Sequence, residues 1–276
     1  MERFSSILKR ALRYIIKGVP NVNVKAEITL SSPTEKLAGK RIIITGGGRG
    51  LGASMARKFV EEGASVLITG RNEDTLKKTS EEIGCSYLVL DMMSPECFEK
   101  FIMEAGNMLG GLDVLVNNAG ISLHENDFFA VTPKSFDEQF STNLRGPFFL
   151  SQEFVRYLTN HQHKGNILFI TSNTGKMADI RPYGLSKAAM NSFVEGLAYL
   201  LSPNIRVNAL APGITASDMT GVSSSGNLFY DTLIGRVYLA DEIAEAAVFL
   251  ICDVSSSISG EILTCDNAST VNARWK

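Results

Sequence analysis

Beyond Leu37 the apolar residues gather into short, nearly continuous runs. They are RIIITG (41–46), SVLITG (65–70), CSYLVLD (85–91), LDVLVNNAG (112–120), GNILFITS (165–172), NIRVNALAPG (204–213) and GEILTCD (260–266). Each is rich in Val, Ile or Leu and has the length of one strand. Between them lie longer helical stretches, among them ASMARKFVEEG (53–63), TPKSFDEQFSTNLRGPFFLSQEFVRYL (132–158) and SKAAMNSFVEGLAYLL (186–201). Continuous apolar strands alternating with helices imply a parallel sheet covered on both sides. The expected fold is α/β: a doubly wound parallel sheet of about seven strands with helices on both faces.

The first 36 residues follow another pattern. In residues 1–18, Phe4, Ile7, Leu8, Ala11, Leu12, Ile15 and Ile16 repeat at three-and-four spacing, with Arg3, Lys9, Arg10, Arg13 and Lys17 opposite them. That is an amphipathic helix, ended by Gly18 and Pro20. In VNVKAEITL (22–30) apolar and polar positions alternate, as in a half-buried strand. The basic helix has two readings: contact with a membrane or partner, or packing on its own domain or a sister subunit. Packing is the commoner fate of such a face. The chain thus divides into an extension, residues 1–36, and one large domain, residues 37–276.

Composition narrows the classes. A net charge of −2 over 276 residues removes the broad electrostatic case for nucleic acid. No run reaches the length of a membrane span, and charges interrupt any signal-like apolar stretch. Cys85, Cys97, Cys252 and Cys265 have no metal-ligand spacing and read as reduced thiols in a cytoplasmic protein, with no metal expected.

The first strand of the large domain runs into TGGGRGLG and then a helix expected near Ala53. Glycine permits a sharp turn and close backbone approach to a pyrophosphate, and the helix N-terminus presents unpaired donors. The spacing is G-x-x-x-G-x-G, with Gly46, Gly50 and Gly52. The second strand ends at Gly70–Arg71, where an NAD enzyme usually carries an acid for the ribose 2′-hydroxyl. A guanidinium there suits a 2′-phosphate, and Arg49 in the loop is a second candidate. Glu73 and Asp74 follow Asn72 and read as a capped first helical turn.

Tyr183 and Lys187 stand four apart on an expected helix and share a face. A nearby ammonium favours the phenolate and lowers a tyrosine pKa. Ser172 ends a strand, where doubly wound sheets open onto their ligand crevice. Each motif alone is weak. In order, the phosphate loop, NNAG (117–120), Asn143, Ser172, YGLSK (183–187) and Pro212–Gly213 resemble the compact short-chain dehydrogenase/reductase family, over residues 37–266, with a leaning toward its 3-oxoacyl-thioester reductases.

The resemblance implies a Rossmann-type fold and hydride transfer between nicotinamide and a carbonyl or alcohol carbon, with a ketoreductase role. It implies Tyr183 as proton donor, Lys187 lowering its pKa and orienting the ribose, Ser172 polarising the carbonyl and Asn143 holding a relay water. It assigns Gly46, Arg49, Gly50, Leu51, Gly52, Arg71, Asp91, Asn118, Ala119, Gly120, Tyr183, Lys187, Pro212, Gly213, Ile214 and Thr215 to the cofactor. Basic residues at positions 49 and 71 go with NADP(H) in preference to NAD(H). The implied partners are a small carbonyl or alcohol substrate and sister subunits of a homodimer or homotetramer.

Three features depart from the family pattern. The Ser172–Tyr183 loop is short, the last strand ends in Asp266–Asn267–Ala268 instead of D-G-G, and the extension has no counterpart. Thr171 competes with Ser172 for the hydroxyl role. The substrate pocket is expected from His124 and its neighbours, residues 176–181, and a lid over 214–236 containing SSSGN. Other readings are an epimerase or dehydratase of the extended branch, a nucleotide-sensing regulator without turnover, and a scaffold recruited through its N-terminal helix.

Overall fold

The computed structural model describes residues 23–26, 34–125 and 127–272. The helix expected over 1–18 and the strand positions 22 and 27–30 lie outside the described residues. Within 23–26, Val24 and Ala26 are half-buried and their neighbours exposed, the alternation read for that segment. Leu228 N donates to Val24 O at 3.1 Å, so this segment runs along the lid.

Seven strands form one parallel sheet: β1 (Arg41–Thr45), β2 (Ser65–Gly70), β3 (Ser86–Val89), β4 (Val114–Asn117), β5 (Gly165–Ile170), β6 (Ile205–Pro212) and β7 (Ile262–Cys265). Their order is β3-β2-β1-β4-β5-β6-β7. Ile42 of β1 pairs with Val66 on one side and Val114 on the other, so β1 is central and apolar on both faces. The helices are α1 (Gly50–Glu61), α2 (Glu73–Ile83), α3 (Phe98–Leu109), α4 (Pro133–Phe140), α5 (Gly146–Asn160), α6 (Pro182–Leu201) and α7 (Ala240–Ile251).

Strand side chains alternate between faces, and the two cores follow from that. Ile42 and Ile44 pack with Met55 and Phe59 of α1 and Ile243 and Ala247 of α7. Ile43 points the other way, to a cluster holding Phe98 and Phe101 of α3, Phe154 of α5 and Met190 of α6. Each such buried side chain contributes about 1.5–3 kcal/mol.

Two helix expectations need correction. α1 starts at Gly50, not near Ala53, because the last glycines of the phosphate loop already take up its first turn. The stretch 132–158 is not one helix: α4 passes through a π turn, Ser141–Arg145, into α5. Gly146–Pro147 sits at that junction, where proline lacks the N–H that regular helix continuation needs. Among the described residues no helix is long and apolar enough to cross a membrane.

Candidate active site

The strand order reverses between β1 and β4, and in such sheets the crevice beyond those strand ends takes ligands. β1 leaves through Gly46, at φ +64°, and the loop ends on Gly50, at φ +54°, backbone that L side chains resist. A Cβ on Gly52 would overlap the Gly46 carbonyl oxygen and come within 2.7 Å of Asn118 Nδ2. α1 has no side-chain cap and no acid in its first turn. Its leading N–H groups and its dipole therefore remain for an external anion. α2 shows the opposite arrangement: Asn72 Oδ1 accepts from Thr75 N at 2.8 Å, ahead of Glu73 and Asp74. The glycine cradle and uncapped helix fit a dinucleotide pyrophosphate.

A brace missed in the sequence holds this loop to NNAG. Thr45 Oγ1 accepts from Asn118 N at 3.0 Å and Ala119 N at 2.9 Å. Asn118 Nδ2 donates to the carbonyls of Thr45 and Gly46. The only signal in the sequence was the threonine opening TGGGRGLG. Leu51 is half-buried at the start of α1, and Arg71 is exposed at the end of β2. Arg49 is exposed too, but its Nη1 lies 3.2 Å from Asp218 Oδ2 of the lid. Asp91 lies past the end of β3, and its Oδ1 accepts from Met93 N at 2.9 Å, closing a turn.

Tyr183 and Lys187 occupy the first turns of α6 and face the ends of β4 and β5. Lys187 is buried, with Nζ donating to Ile170 O at 2.9 Å and lying 5.6 Å from the Tyr183 ring centroid. Burial pulls its pKa down to about 8. Burial also raises the Tyr183 pKa, offset in part by a hydrogen bond from Ser172 and by the Arg181 charge. The expected lowering of the Tyr183 pKa by Lys187 is therefore not what this structure displays. The ammonium is aimed at a backbone carbonyl, and it is itself disfavoured by desolvation.

A stability prediction follows. Below pH 8 both folded and unfolded chains carry the Lys187 proton, and the folded state bears the desolvation cost in full. Between pH 8 and 10.5 the unfolded chain binds more protons, so wild-type stability gains with rising pH. Lys187→Met is expected to raise Tm at pH 7, by an amount that shrinks toward pH 10; calorimetry at both values checks this.

Ser172 Oγ accepts from Thr174 N at 3.2 Å and Thr174 Oγ1 at 3.0 Å. Its hydroxyl is also within hydrogen-bonding reach of Tyr183. Thr171 Oγ1 is buried and donates to Leu210 O at 3.1 Å, so the sheet holds it and Ser172 is the hydroxyl at the crevice. Asn143 is fully buried in the π turn, a feature often found at functional sites. Its Oδ1 accepts from Ile121 N at 2.8 Å, and its Nδ2 donates to Ile121 O and Ser186 Oγ. A Cβ built on Gly120 would lie 3.3 Å from Asn143 Oδ1 and 3.5 Å from Lys187 Nζ, so both polar atoms converge beside Gly120.

β6 delivers Pro212 and Gly213 to the same edge. Gly213 N donates to Cys265 O, a Cβ there would meet the Tyr238 ring at 2.8 Å, and Thr215 Oγ1 returns to Gly213 O. Ile214 is held by Tyr238 N donating to its carbonyl. His124 does not stand alone in its loop: its Nε2 lies 2.8 Å from Met219 O, tying that loop to the lid. The shortened loop before Tyr183 is closed by Asp179, which takes Arg181 Nε at 2.9 Å and Nη2 at 2.6 Å. The sequence did not single out this pair.

The Asp266–Asn267–Ala268 turn keeps a left-handed backbone without glycine, at φ +48° and +64° for the last two. That conformation costs an alanine about 1–2 kcal/mol. Ala268→Gly is expected to raise Tm by about 2–4 °C, read by thermal unfolding.

The family profile described as short chain dehydrogenase matches residues 40–227. A 3-oxoacyl-(acyl-carrier-protein) reductase from Aquifex aeolicus is 33% identical over 240 residues, 83% of this chain and 96% of that protein. A 3alpha-hydroxysteroid dehydrogenase from Mediterraneibacter gnavus is 34% identical over 250 residues, 84% of this chain and 98% of that one. The crystal structure of a short-chain type dehydrogenase/reductase from Mycobacterium marinum superposes with a TM-score of 0.77 at 26% identity, covering 86% of this chain and 98% of the other.

Proposed function

The chain belongs to the short-chain dehydrogenase/reductase family of oxidoreductases acting on CH–OH groups, and we propose that it is an NADP(H)-dependent ketoreductase. The convergence of Tyr183, Ser172, Lys187 and Asn143 at the crevice carries this reading. The glycine loop, Lys187 and Gly213–Thr215 would hold NADPH, which would supply the hydride for the carbonyl carbon. The Tyr183 phenol gives its proton to the carbonyl oxygen, and Ser172 holds that oxygen by donating its hydroxyl proton. Burial keeps Tyr183 protonated, which suits a proton donor. Lys187 carries its charge to about pH 8 and so can hold the ribose hydroxyls at neutral pH. A water between Asn143 Oδ1 and Lys187 Nζ would return a proton to Tyr183.

The preference for NADP(H) rests on Arg71 and Arg49 and on the absence of an acid at position 70. Residues 37–276 form the catalytic domain in this reading, with 1–36 as its extension. The assembly is a homodimer or homotetramer. Phe140, Leu144 and Phe148 line a groove on α4 and α5 flanked by Asp137 and Arg145. A two-fold copy would meet those opposite charges reciprocally. Four free thiols agree with a cytoplasmic setting.

Binding of NADPH and NADH to the purified protein, followed by carbonyl reduction read at 340 nm, tests the proposal. Arg71→Ala is expected to weaken NADPH about 10–100-fold, the range for losing a charge-assisted hydrogen bond, while NADH changes little. Equal losses for both cofactors would overturn the 2′-phosphate role. Tight binding without turnover of any carbonyl would turn the reading toward a nucleotide-sensing protein.

A further inference from the structure

The lid from Gly213 to Leu239 has a small core of its own. Ala216, Leu228 and Val237 are its buried residues, with Ile214 packed against them. It is separate from the two cores that hold the sheet. So few buried apolar contacts leave a segment prone to local opening. Main-chain pairing tightens it. Phe229 pairs with Arg236, and Val237 N donates to Leu228 O at 2.9 Å. Thr215 pairs with Tyr238, Tyr238 N donates to Ile214 O, and Ala216 N donates to Tyr238 O, both bonds at 2.8 Å. These last bonds hold the segment 213–215, which is assigned to the cofactor.

The extension adds one more rung at the outer side of this ladder. Leu228 N donates to Val24 O and Val24 N donates to Asn227 Oδ1, each at 3.1 Å. Ala26, two residues on, packs against the lid core. Bonded backbone therefore runs from 24 through 228 and 237–238 to 214. The extension is fastened again where it enters the domain. Glu62, fully buried just past α1, accepts from Thr34 N and Lys36 N on one carboxylate oxygen, each at 3.1 Å. The family profile begins at residue 40, so neither hold belongs to what it matches.

We propose that Val24 and Ala26 are positioning residues for the cofactor: as an added edge of the lid, they hold Ile214 and Thr215 in place for the nicotinamide end of NADPH. A ligand that must first order a loop binds more weakly than one that meets the loop already ordered. The inference rests on the NADP(H) reading. A strap that merely covered the lid would change stability and leave cofactor affinity alone. The coupling is also reciprocal, so bound cofactor must tighten the strap in turn.

The test uses the full-length chain. Val24→Pro removes the donor to Asn227, and Ala26→Asp sets a charge against the lid core. Lys25→Ala, at the exposed position between them, and the conservative Val24→Ile serve as controls. NADPH titration is expected to show about three- to tenfold weaker binding in Val24→Pro and Ala26→Asp, the range for losing one hydrogen bond. Both controls should bind as wild type. NADH should weaken by the same factor, because it shares the nicotinamide end. Adenosine 2′,5′-bisphosphate, which lacks that end, should bind unchanged. In wild type, NADPH should slow amide exchange at Leu228. Wild-type NADPH affinity in both strap variants, or an equal loss for the bisphosphate, would overturn the proposal. If wild type binds neither dinucleotide, the cofactor reading fails. Amide exchange at Val237 and Tyr238 then decides the hold on the lid by itself: exchange unchanged in both strap variants removes it.

Discussion

Tyr183→Phe is expected to reduce turnover by about 10²–10⁴-fold, the range for one positioned acid–base group, while NADPH still binds. The phenol is the one acid beside Ser172 in the crevice among the groups assigned to the reaction. Removing its oxygen leaves the hydride acceptor without a proton source, but it leaves the ring and the helix turn in place. The loss should appear in kcat with little change in NADPH affinity, because Lys187 keeps its bond to Ile170 O. Stopped-flow binding and steady-state rates read the two quantities apart. Near-normal turnover in the variant would sink the assigned chemistry.

The second large effect is expected from Gly52→Ala, which adds one methyl group far from the reacting atoms. That methyl would overlap the Gly46 carbonyl and press on Asn118 Nδ2, which itself bonds the Thr45 and Gly46 carbonyls. Neither neighbour is the loose end of a flexible side chain, so the loop or the NNAG brace must shift. NADPH affinity is expected to fall at least about tenfold and Tm to drop, at a cost of about 1–3 kcal/mol for overpacking. NADPH titration and thermal unfolding of the variant check both. Wild-type affinity would mean that the loop does not approach the cofactor as closely as its geometry implies.

Much of this was readable before any coordinates. The Val, Ile and Leu runs mark the strands, and all seven strands stand where those runs do. The most continuously buried ones are inner strands, while β3 and β7 form the edges. The cap at Asn72 was legible because its chemistry is local: a side chain three residues from the N–H it accepts. The break of 132–158 at Ser141 was not legible. Phe140 and Phe148 continue a helical apolar pattern straight across it, and a π turn alters hydrogen bonding without altering that pattern.

The site divides in the same way. The family resemblance pointed to the glycine loop, Asn143, Ser172, Tyr183 and Lys187 as candidates, because the motifs that carry it are short segments legible in the sequence. The tertiary structure decided what depends on residues distant in the chain. Thr45 reaches Asn118 across 73 residues, Arg49 is drawn to Asp218 across 169, and His124 is tied to Met219 across 95. It also changed one part of the reading of Lys187, its effect on the Tyr183 pKa. Spacing placed an ammonium near a phenol, but burial depth and the Ile170 carbonyl set where its charge points and how readily it is held. Desolvation depends on everything packed around a group, and no local stretch of sequence contains that information.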